Sequence, residues 1–96
     1  MIIVRDVFRA KYGKGSDLVA LFIEAKENWS VKYEPRVLTD ASGPFFTVIT
    51  EVQYENLAEF EQKSSEIFSQ TDFGDWFDRM TKLVKSGRRD FYNIES

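Results

Sequence analysis

Ile2-Ile3-Val4-Arg5-Asp6-Val7-Phe8-Arg9-Ala10-Lys11 is the stretch on which the reading of this chain turns. It alternates with period two, as a pleated strand does, and its even positions are the drier: Ile2, Val4, Asp6, Phe8 and Ala10 against Ile3, Arg5, Val7, Arg9 and Lys11. One face is therefore meant for a core, and one carboxylate, Asp6, interrupts it. The other face mixes aliphatic and cationic side chains.

Outward from this strand the period changes. Gly13-Lys14-Gly15 breaks the extended run, Ser16 offers an N-cap and Asp17 a first-turn acid. Leu18, Leu21, Phe22, Ala25 and Trp29 then recur at helical spacing, widened by Val19 and Ile23, and the helix is expected to end near Lys32 because Pro35 follows. Arg36 to Asp40 reads as a short strand and Ala41-Ser42-Gly43-Pro44 as a turn. Phe45 to Tyr54 reads as a third strand, with Phe46, Val48, Thr50, Val52 and Tyr54 on one face. Asn56 with Glu59 has the form of a capping box before Leu57, Phe60, Ser64, Ile67 and Phe68. Ser69-Gln70-Thr71 interrupts. Thr71 caps a further helix carrying Phe73, Trp76, Phe77, Met80, Leu83 and Val84, with Gly87 as its stop, and Arg88 to Glu95 is the fourth strand.

The order βαββαβ in a single domain over residues 1–96 predicts an α+β fold of ferredoxin-like form. It has a four-stranded antiparallel sheet with the first and third strands central and helices on one face. The uncovered face would then carry Ile3, Val7, Phe45, Ile49 and Phe91 among Arg5, Arg9 and Glu51. An apolar patch of that size predicts a face-to-face homodimer, with the charged trio supplying pairing between subunits.

Composition narrows the chemistry. The 96 residues include no His and no Cys, so the commonest general base, metal ligand and soft nucleophile are missing, and no disulfide can form. No cofactor or metal is expected, since carboxylates alone offer no zinc-ligand spacing. Thirteen basic and 16 acidic residues give a net charge of −3, which argues against nucleic acid or an anionic membrane as partner. The start lacks a basic segment and a long apolar run, so no signal peptide is expected; no stretch approaches the ~20 apolar residues of a membrane span, and a cytoplasmic location is the expectation.

Candidate site residues follow from parity and aromaticity. Asp6, on the dry face of a central strand, is either a ligand-anchoring or acid–base group in a cleft, or a carboxylate paired with Arg or Lys. Trp29, Tyr33, Tyr54 and Trp76 are candidates for the wall of an apolar pocket between sheet and helices, or for plain core. Phe45-Phe46 has a superficial likeness to the stacking strand of an RNA-recognition domain, but the rest of that motif is missing.

Four segments carry a resemblance: Lys14-Gly15 before the first helix, Tyr54-Glu55-Asn56-Leu57 entering the second, Asp75-Trp76 opening the last, and Ser86-Gly87-Arg88-Arg89 running into Phe91-Tyr92-Asn93-Ile94. Over nearly its whole length the chain resembles the dimeric α/β-barrel superfamily, and within it the NIPSNAP-like and antibiotic-biosynthesis-monooxygenase-like small proteins. The resemblance implies a homodimer that binds a small organic molecule. Its alternative implication is a cofactor-independent monooxygenase or related small-substrate enzyme; whether the protein is an enzyme stays open. Haem held by histidine has no ligand here.

Overall fold

The computed structural model describes residues 1–43 and 46–96. Seven elements follow in chain order: β1 (Ile2–Ala10), α1 (Gly15–Asn28), β2 (Arg36–Thr39), β3 (Thr47–Tyr54), α2 (Leu57–Phe68), α3 (Phe73–Leu83) and β4 (Val84–Asn93). The strands form one antiparallel sheet in the order β2-β3-β1-β4. This is the expected α+β, ferredoxin-like arrangement, with β1 and β3 in the centre and the second helical region split in two.

Register fixes which side chains meet. Asp6 lies opposite Thr50 on β3 and Arg89 on β4; Val4 lies between Val52 and Phe91, and Phe8 between Val48 and Gly87. These even positions of β1 face the helices, where Leu18, Leu21 and Phe22 of α1, Trp76 of α3, Ala10 and Val48 form the buried core. Apolar burial of this kind supplies most of the driving force for folding, about 25 cal/mol per Å². Phe8 stacks on Phe22 at 5.0 Å between ring centroids, and Trp76 locks α3 to α1 by donating from Nε1 to the Leu21 carbonyl at 2.9 Å.

Several boundaries differ from the sequence reading, each for a local reason. Gly13, at φ 77°, turns the chain early, so α1 starts at Gly15 with Lys14 rather than Ser16 at the N-cap position. It ends at Asn28, where Trp29 turns extended to bring its ring onto Trp76 and Phe73, at 5.5 and 5.8 Å. Phe46 has φ 57°, which interrupts the extended run, and β3 begins at Thr47. Phe45, expected at the start of this strand and on the uncovered face, lies outside the described residues. Asn56 caps α2 as expected, its Oδ1 accepting from the Glu59 amide at 2.8 Å. Asp72, not Thr71, takes the N-cap position of α3.

The largest departure is at Gly87. It is no helix stop: α3 ends at Leu83 and β4 starts at the next residue, so Gly87 sits inside the strand. A β-carbon there would lie 2.8 Å from Cδ1 of Phe8. The glycine is a floor for that ring. Pairing of β4 with β1 is irregular once, between Arg9 and Ala10, where Lys85 is the extra residue.

Candidate functional site

A cavity of about 380 Å³ opens between the sheet and the two C-terminal helices. Its floor is Val4, Asp6, Phe8, Val52 and Tyr54 from the central strands, with Arg89 from β4. α1 contributes Phe22 and Ala25, the residue after it Trp29, and α2 and α3 supply mainly Phe60, Ile67, Phe73 and Trp76. A second cavity of about 170 Å³ adjoins it on the β2 side and shares Asp6, Trp29, Tyr54 and Trp76 in its wall. Burial of apolar walls around a few polar atoms is the usual build of a small-molecule site.

The charged feature of the wall is one ion pair. Arg89 donates from Nε to Asp6 Oδ1 at 2.6 Å and from Nη2 to Oδ2 at 3.1 Å, the two-pronged geometry in which guanidinium and carboxylate match best. The Asp6 side chain is 19% exposed and that of Arg89 47%. The guanidinium also lies over the Phe60 ring at 5.2 Å, and Phe60 in turn meets Tyr54 and Phe91 edge-on at 5.5 and 5.3 Å. Burial pushes the Tyr54 hydroxyl above its ordinary pKa of 10.0, with Arg89 opposing. At neutral pH it is therefore a neutral donor.

Of the sequence candidates, Asp6, Trp29, Tyr54 and Trp76 come together at this cavity, and Asp6 is at once paired and part of its wall. Tyr33 is not among the lining residues; it stands in the α1–β2 connection with Lys32 over its ring at 5.6 Å. The Trp76 indole spends its donor on Leu21 and serves as wall. Arg89 was not among the candidates. Its parity in β4 is the signal: it is the arginine whose register position faces Asp6, whereas Arg88 faces away with Val7.

The uncovered sheet face holds Ile3, Val7 and Ile49, joined by Leu38 opposite Ile49 and Tyr92 opposite Ile3. Phe91 does not belong there. It pairs with Val4 and contacts Phe60, so it lies on the helical side: its face is set by the register of β4 on β1, which puts it opposite an even position of that strand and which the run Arg88 to Glu95 does not itself state. Glu51 on this face is only 6% exposed. It accepts from Arg5 Nε at 2.7 Å and Arg36 Nη2 at 2.5 Å within the same chain, while Arg9 lies at the other end of the strand beside Thr47 and Ser86. Arg36, not Arg9, completes the charged cluster. Burial alone would raise the Glu51 pKa; the two guanidinium groups outweigh it and hold the carboxyl below its ordinary 4.5.

Among the described residues no cluster of metal-ligating side chains occurs, and no helix is long and apolar enough to cross a membrane.

A one-sided helical cover over an antiparallel β2-β3-β1-β4 sheet, with an apolar cavity under the C-terminal helices, defines a ferredoxin-like α+β protein. Solved structures of the same fold cover nearly the whole chain. An uncharacterised NIPSNAP domain protein from Burkholderia xenovorans superposes with a TM-score of 0.84 at 13% identity, over 100% of this chain and 96% of that one. A NIPSNAP family protein from Agrobacterium tumefaciens gives 0.82 at 15%, over 96% and 90%. A structure described as an antibiotic biosynthesis monooxygenase gives 0.74 at 11%, over 100% of both chains. At these identities the likeness is one of fold. No family model matches the sequence, and neither does any curated protein.

Proposed function

We propose that this chain forms a homodimer that binds a small organic molecule in the cavity between its sheet and its C-terminal helices. The observation that carries this is the 380 Å³ space walled by aromatic rings around the single Asp6–Arg89 pair. The rings touch one another around the wall, Trp29 on Trp76 and Phe73 and Tyr54 on Phe60, and still leave that volume open between them, where a filled core would leave none for a guest. The uncovered face with Ile3, Val7, Leu38 and Ile49 supports association, since a monomer would leave it in water. Titration with Nile red, a neutral solvent-sensitive dye, tests the site. Dye emission should rise on binding, and Ala25→Phe, which fills the wall shared by both cavities, should abolish the rise while the fold is kept. Equal binding by the variant would place the dye elsewhere and sink the reading.

A second reading is a cofactor-independent monooxygenase or related small-substrate enzyme working in the same cavity. The fold likeness to a structure described as an antibiotic biosynthesis monooxygenase and the carboxylate in an apolar wall support it. The two-pronged pairing supports the binding reading more strongly, because Arg89 occupies both oxygens of Asp6. Oxygen uptake in the presence of a phenolic substrate, lost in Asp6→Asn, would reverse that order.

A further inference from the structure

We infer that the ligand of this cavity is electrically neutral and largely apolar, with a hydroxyl or carbonyl oxygen seated at Arg89. This rests on the cavity being a binding site and adds the class of molecule it takes. The argument is a charge count. Asp6 and Arg89 are the charged residues in the larger cavity wall, and they cancel each other through two hydrogen bonds. The adjoining cavity adds Lys26, which is paired with Glu34 at 3.0 Å on the surface. A ligand charge of either sign would enter an apolar space with no opposite charge left over, and an uncompensated charge there is costly.

The pair still offers hydrogen bonds to a neutral oxygen. Nη1 of Arg89 makes no hydrogen bond among the described residues, and neither does the Tyr54 hydroxyl, which also lines the wall. Two donors thus line one aromatic wall, each beside the Phe60 ring. The two cavities meet at Asp6, so an extended apolar body can run from that wall toward Val37 and Pro35.

Both tryptophans of the chain line the cavities, so tryptophan emission, excited selectively over the tyrosines, reports on this site. The experiment titrates the wild-type protein with 1-decanol and with decanoate at about pH 7.5, where the acid is ionised. Decanol should bind at least about tenfold tighter, the smallest preference that an unpaired charge in such a wall should produce. Asp6→Asn leaves Arg89 without its counter-charge, and should shift the ratio toward decanoate by about tenfold or more. Decanoate binding as well as or better than decanol to the wild type would overturn the inference and leave the binding reading standing. Failure of both probes to change the tryptophan emission would overturn the two together. The wild-type comparison needs no variant to fold.

Discussion

Glu51 shows what one residue can decide. Its carboxylate sits on the uncovered face yet is 6% exposed, because Arg5 and Arg36 close over it from the flanking strands. Its folded pKa is lowered, so the stabilisation it gives is fully present above the ordinary value of 4.5 and is lost as pH falls through the lower folded value. Glu51→Gln should destabilise the protein by about 1–3 kcal/mol at neutral pH, and should flatten this part of the acid limb of a stability–pH curve measured by urea unfolding. Gly87 is a second case. Gly87→Ala places a β-carbon against the Phe8 ring and should cost about 1–3 kcal/mol. Pairing it with Phe8→Leu should cost less than the sum of the single changes, since the smaller side chain vacates the contact. Denaturant midpoints of the four proteins give the coupling. From sequence, Asp6 was legible through parity; for Arg89 and Arg36 parity narrows the choice to a face, but which carboxylate each meets depends on strand register, which no local pattern states.

At the scale of elements, α1 and α2 are anchored very differently. α1 buries Leu18, Leu21 and Phe22, whereas α2 has no buried residue and instead turns Phe60, Ser64 and Ile67 toward the cavity. The amides of α2 should therefore exchange with solvent well before those of α1, and bound ligand should slow α2 selectively. Asn56→Ala removes the one side-chain cap of α2; it should cost about 1 kcal/mol and accelerate exchange in α2 further, read by hydrogen–deuterium exchange. The helical stripes, the capping box and the break at Ser69–Thr71 were all legible, because each is a local pattern of spacing or capping. The junction of α3 with β4 was not. Gly87 has the local form of a helix stop, and only the ring of Phe8, 79 residues earlier in the chain, explains why a glycine is there.

For the whole molecule, the sheet face without helices is the surface on which the proposed association rests. Ile49 lies at its centre, between Val7 and Leu38. Ile49→Asp should convert a dimer into a monomer in sedimentation at micromolar concentration, and a wild-type protein that runs as a stable monomer would refute the association. Since Arg5, Glu51 and Arg36 already satisfy one another within a chain, affinity should depend weakly on salt. The four-stranded, one-sided architecture followed from the order of periods alone; the cavity did not, because a stripe of aromatic residues reads the same whether it fills a core or lines a void. The direct passage of α3 into β4 has a consequence for inheritance. Loops elsewhere can gain or lose residues freely, but the stretch from Leu83 to Arg89 cannot. One codon inserted there would slide Ser86 beneath the Phe8 ring, and one deleted would set Asp90 beside Asp6. Natural variants of this chain should therefore differ in length almost anywhere except across those seven positions.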